Sequence, residues 1–156
     1  MTLKVLAILS WIWMGISLFS FGSSLATGPL DEEALEEQKD LMMAGVTEAQ
    51  YEQMPTLYDD MLDFAQAMND NLYTIQGLHL ANVLIGVFGV VLMFQMNRKG
   101  YPLYILYTIV PLAIEYVYYP GFMKWMFIGF NAVFGILFVI LYGVQMKRLG
   151  EQTSAE

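Results

Sequence analysis

The chain has no cysteine and a single histidine, His79. The first absence excludes disulfides, thiolate zinc sites and cysteine nucleophiles. The second leaves no pair of imidazoles for a transition-metal site. Lysine and arginine together number 7 against 15 aspartates and glutamates, so there is no basic face for a nucleic acid. H-E-x-x-H, G-x-S-x-G, a Walker loop and G-x-G-x-x-G are all missing, and so is any N-x-S/T sequon. These gaps lead to the expectation of a non-catalytic protein with no cofactor, no bound metal and no nucleic-acid partner.

Charge is also scarce. Charged residues make up 14% of the chain and hydrophobic ones 57%, where a soluble domain carries about 25% charged residues. The charges that exist are gathered together. Between Gly28 and Thr74 lie 12 acidic residues and one lysine, Lys39. The net charge of −8 belongs to that segment, and the rest is long, apolar and nearly uncharged.

Four stretches are long enough to cross about 30 Å of hydrocarbon as helices, which takes about 20 residues. They are "VLAILSWIWMGISLFSFGSSLA" (5–26), "IQGLHLANVLIGVFGVVLMFQM" (75–96), "YPLYILYTIVPLAIEYVYY" (101–119) and "FMKWMFIGFNAVFGILFVILYGVQM" (122–146). Lipid offers open backbone groups no partner, so helices are expected; a barrel strand would alternate, and these runs are apolar all round. Lys4, the apolar run and "SLA" before Thr27 also fit a signal peptide. Signal-peptide cores are usually about 7–15 residues, shorter than this run, and Trp11 and Trp13 suit a retained helix.

Orientation follows from the basic residues. Lys4, Arg98, Lys99, Lys147 and Arg148 fall on one side, Lys39 and Lys124 on the other. The richer side is expected to be cytoplasmic, with both termini inside and the acidic loop outside. "QMNRKG" at 95–100 and "QMKRLG" at 145–150 read as two matching cytoplasmic stops, each with a glycine to end its helix. The links "NRKGYP" and "YYPGF" are short, so the helices they join are antiparallel neighbours. The expected fold is all-α: one membrane domain over 1–156, an up-down four-helix bundle with an acidic helical loop at 28–74. "NRKGYPLY" has the general look of small bacterial membrane proteins, which implies a bacterial inner membrane.

The loop reads as ordered. "PLDEEALEEQKDLMM" has acids in its first turn and one apolar side, and Gly45 ends it. "TEAQ" at 47–50 fits a capping box, and its helix stops at Pro55. Thr56 is expected to cap a third helix. Its stripe, Leu57, Met61, Phe64, Met68, Leu72 and Ile75, runs unbroken into the second membrane helix, predicting one long helix. "DDMLD" at 59–63 resembles the DDxxD motif of prenyl-diphosphate enzymes, which implies Mg²⁺ and diphosphate. That chemistry needs a second acidic cluster across a cavity; a solvated acidic face is expected instead.

Polar groups inside a bilayer are candidates for function. At about 1.5 Å per residue, Gln76 and His79 lie in the outermost two turns, Asn82 about 11 Å deep, Glu115 about 6 Å and Asn131 about 13 Å. Ser17 and Ser20 lie at outer-half levels too. The inner half reads as apolar as far as Gln95 and Gln145, which argues against a pathway across the whole thickness. A Glu115–His79 pair is the natural centre of a tentative ligand site with Gln76, Asn82 and Asn131. The alternative places Glu115 in an interfacial belt with Tyr116, Tyr118 and Tyr119. Gly86 and Gly89 are expected to allow close helix approach, as are Gly129 and Gly135. Pro111 is expected to free a carbonyl near the midplane. Two function classes remain open. One is a structural or accessory membrane component whose acidic loop binds a protein partner or a second copy of the chain. The other is a transporter or sensor of a small molecule or cation.

Overall fold

A computed structural model describes residues 3–95 and 97–153, with side chains as far as Lys147. The expected helix end at Met96 lies outside the described residues. The elements are α1 (Leu3–Thr27), α2 (Glu32–Met43), α3 (Glu48–Gln53), α4 (Pro55–Asp70), α5 (Leu72–Phe94), α6 (Gly100–Tyr118) and α7 (Gly121–Thr153). No strand occurs among the described residues. Four helices are long and apolar enough to cross a membrane: Leu3–Thr27, Leu72–Phe94, Gly100–Tyr118 and Gly121–Lys147 of α7.

Those four share one core. Leu6, Ala7 and Met14 of α1 pack with Val83, Val90 and Met93 of α5, Tyr104 of α6, and Tyr142 and Met146 of α7. Lipid is as apolar as these side chains, so close packing rather than water exclusion must hold such helices together. The glycines show how. A side chain at Gly86 would meet Met14 and Tyr107. One at Gly100 would meet the backbone of Gly89 and Met93, so the α5 and α6 backbones touch. Gly135 faces Thr108, whereas Gly129 has no neighbour within 4 Å, against expectation. Phe21 lies against His79 while Met14 lies near Gly86, so α1 and α5 run antiparallel.

The acid-rich segment folds as three short helices outside these four. Asp31 caps α2 by accepting from the Ala34 N–H at 2.9 Å. Thr47 and Gln50 form the expected capping box on α3. α2 lies on α4: Lys39 donates to Gln66 at 2.8 Å, and Asn69 exchanges two hydrogen bonds with the Leu30 backbone. α4 in turn meets α6 and α7, where Phe64 packs edge-on against Tyr119 and stacks on Phe127. Asp60 accepts from the Phe122 N–H at 2.6 Å, at the start of α7. Gly121 makes the turn at a φ of 50, and a side chain there would strike the Asp60 carboxylate.

Three further local expectations fail. The single long helix is broken at Asn71, whose backbone leaves the helical region at φ −110 and ψ 15. Its side-chain amide donates to the Ala67 carbonyl at 3.0 Å, the local competition that makes asparagine a poor interior residue. α4 begins at Pro55 without a side-chain cap, so Thr56 does not cap it. Proline is preset for a first helical position, and it drives Met54 out of the helical region. The two matched glycines do not end helices. α5 ends at Phe94 with Gln95 as its cap, Gly100 opens α6, and Gly150 lies within α7.

Candidate functional site

The interior polar residues are placed by helix periodicity. On α6, Tyr104, Thr108, Pro111 and Glu115 recur every three or four residues and share a face. On α5, Gln76, Val83 and Val90 share a face at spacings of seven. Val83, Val90 and Tyr104 belong to one buried cluster, so both faces look inward.

At the end of this interior nearer the acid-rich helices lies Glu115, only 2% exposed. Its Oε1 accepts a hydrogen bond from Asn131 Nδ2 of α7, and its Oε2 has no partner. Glu115 therefore faces the interior between the helices. Beside it, Tyr116 meets Trp125 edge-on, and Lys124 Nζ stands 5.0 Å from the Tyr116 ring centre. Gln76, 9% exposed, also has a buried oxygen, Oε1, without a donor.

Asn82 lies deeper and is 2% exposed. Its Nδ2 donates to the Tyr107 carbonyl at 3.0 Å. That carbonyl would ordinarily accept from the N–H of residue 111, which is proline and has none. The sequence places the freed carbonyl; the structure shows that Asn82 answers it. Asn82 Oδ1 is left without a partner.

The expected Glu115–His79 pair does not form. No hydrogen bond or ion pair joins them among the described residues. His79 stacks on Phe21 of α1, with ring centres 5.1 Å apart and planes 18° from parallel. Of the expected set, the structure brings Glu115 and Asn131 into direct contact and gives His79 and Asn82 other partners. Ser17 is half-buried on α1, and Ser20 is exposed there with its carbonyl accepting from Ser24 at 3.0 Å.

The half of the bundle nearer the α5–α6 link is not purely apolar, which corrects the sequence reading. Buried Ser10 shares a hydrogen bond with Tyr142 at 2.9 Å and stands 3.5 Å from the Tyr104 hydroxyl. Tyr101 donates to the Val139 carbonyl at 3.2 Å. The signal was available: a serine within an apolar run, and tyrosines whose hydroxyls must find partners when buried. Polar groups thus recur along the length of the bundle.

The "DDMLD" acids do separate jobs. Asp59 accepts from the Tyr51 hydroxyl at 2.7 Å, Asp60 accepts from the start of α7, and Asp63 is exposed. The Asp59 bond raises the Tyr51 pKa above the ordinary 10.0, because it favours the protonated phenol. No group of three histidines, cysteines or acids fit to hold a metal occurs among the described residues. No protein-family model, curated protein or solved structure matches the chain.

Proposed function

We propose that this is a non-catalytic integral protein of a bacterial inner membrane, an up-down four-helix bundle with both termini cytoplasmic. In this reading the acid-rich helices form an extracytoplasmic layer that binds a protein partner or a second copy of the chain. The observation that carries it is the docking of that layer: α2 is fixed to α4, and α4 to the outer ends of α6 and α7. A fixed platform presents a constant surface, where a loose loop would have to lose conformational freedom on binding. Its outer side carries Glu33, Glu37 and Asp40 at helical spacing, all exposed, with Leu41 70% exposed beside them. Large apolar side chains point outward from α1 and α7, including Ile8, Ile12, Phe19, Phe130, Val133 and Ile140. Lipid is the cover that suits them.

Because the chain has no cysteine, Glu37→Cys supplies a single thiol on that outer side. A membrane-impermeant maleimide is expected to label it on cells with a permeabilised outer layer and an intact inner membrane. Labelling only after the inner membrane is broken would overturn the orientation. On isolated membranes, salt at about 1 M shortens the Debye length to about 3 Å, so an electrostatically held partner should leave and labelling should quicken. Equal rates at low and high salt would overturn the partner reading. A second reading, a sensor or transporter of a small ligand, is favoured by the unpartnered oxygens of Gln76, Asn82 and Glu115.

A further inference from the structure

Glu115 is a carboxylate with 2% exposure inside a helix apolar enough to lie in hydrocarbon. The one ion pair among the described residues is Lys39 with Glu36, outside the membrane-spanning helices. Glu115 therefore has no cationic partner there, and an uncompensated buried charge is among the most costly features a fold can hold. Its surroundings increase the demand for positive charge. Asn131 uses its donor on Oε1 and leaves Oε2 bare. Gln76 turns an oxygen inward that also lacks a donor. Ile75 and Ile114, the residues just before these two, share one buried cluster, which sets Gln76 and Glu115 at the same level on neighbouring helices. Asn82 is six residues deeper than Gln76, about 9 Å along the helix, too far to serve the same small ion.

We propose that Glu115 Oε2 and Gln76 Oε1 form a binding site for a monovalent cation, with Asn131 holding the carboxylate in place. The inference deepens the small-ligand reading and does not depend on the acidic layer binding a partner. Hard oxygen donors suit alkali ions, and a single carboxylate with a neutral amide matches one positive charge. Calcium sites use several carboxylates, and among the described residues of the four spans Glu115 is the one carboxylate. Asn82 Oδ1, the next unpartnered oxygen inward, gives such an ion a further foothold.

The test uses the full chain in lipid nanodiscs. Thermal unfolding is followed while choline chloride is exchanged for sodium, potassium or ammonium chloride at constant ionic strength. At a cation concentration a hundredfold above half-saturation, Tm should rise by about 5–10 °C with at least one ion. Glu115→Gln should remove that dependence. Gln76→Glu, with a second carboxylate, should shift the response toward calcium. No ion dependence in the wild type would overturn the proposal. So would a cation response that Glu115→Gln leaves unchanged, because the ion would then be held elsewhere. Should Glu115→Gln fail to fold, Gln76→Leu decides: half-saturation must move at least tenfold, and an unchanged midpoint overturns the site. Maleimide protection of Glu37→Cys is read separately, so loss of either result leaves the other intact.

Discussion

Asn82 and Pro111 form a pair whose energetic coupling can be worked out from the structure. Pro111 has no N–H to offer the Tyr107 carbonyl, and Asn82 Nδ2 supplies the missing donor at 3.0 Å. Replacing Asn82 by leucine keeps the volume and removes that donor. Hydrogen bonds between membrane helices average about 0.6 kcal/mol and reach about 1.7. An unsatisfied buried carbonyl costs about 1–3 kcal/mol. Asn82→Leu also removes the unpartnered Oδ1, which offsets part of the loss. The expected net destabilisation is about 1–2 kcal/mol. Pro111→Ala restores an N–H within α6, so in that background the carbonyl has its own donor and Asn82→Leu should cost close to nothing. The double-mutant cycle removes whatever Pro111→Ala does to the helix shape, since that change appears in both arms. Unfolding in mixed micelles of rising SDS fraction, followed by circular dichroism, gives the four stabilities. A coupling of about 1 kcal/mol is expected. Additivity within about 0.3 kcal/mol would refute the claim that Asn82 serves the proline-freed carbonyl.

Gly100→Ala should destabilise by about 1–3 kcal/mol, because the new methyl meets backbone atoms of α5 that cannot rotate away. Gly129→Ala, with open space around it, should be neutral or stabilising by up to about 1 kcal/mol in the same unfolding assay. Equal effects at the two positions would contradict the close contact of α5 and α6. Tyr51 keeps its proton longer in the folded chain than a free phenol does, because its hydroxyl donates to Asp59. The stabilising effect of that bond is present below pH 10 and is lost as pH rises through the raised pKa. Among the tyrosines that titrate late, phenolate absorbance should show one that moves back toward the ordinary range in Asp59→Asn; an unchanged titration would argue against the bond.

Some of this was legible from residue order. Long uninterrupted apolar runs give helix number directly, because length and hydrophobicity are properties of a segment by itself. The capping box at Thr47–Gln50 was equally local, and so was the carbonyl freed by Pro111. What failed depended on neighbours. The stripe through Leu72 and Ile75 continues past Asn71, yet one side-chain amide folding back on Ala67 breaks the helix there. Gly100 resembles a helix stop until the opposite backbone is seen lying against it. His79 and Glu115 sit at compatible depths, but depth is one coordinate of three. Rotation about α5 turns His79 onto Phe21, while α6 turns Glu115 to Asn131. Ser10, Tyr104 and Tyr142 each mark a polar group in an apolar run, but which of them meet depends on how the helices are rotated.

The bond from Phe122 to Asp60 joins positions 62 residues apart. A ribosome finishes α4 well before it begins α7, so during synthesis Asp60 and Phe64 must wait for partners that do not yet exist. The acid-rich helices can be made early but are clamped last, when the final span arrives and presents its first turn. A chain stalled before Gly121 would keep three membrane helices while Phe64 lacked Phe127 and Asp60 lacked its amide. The acid-rich helices would then lack the clamp that fixes them to the spans.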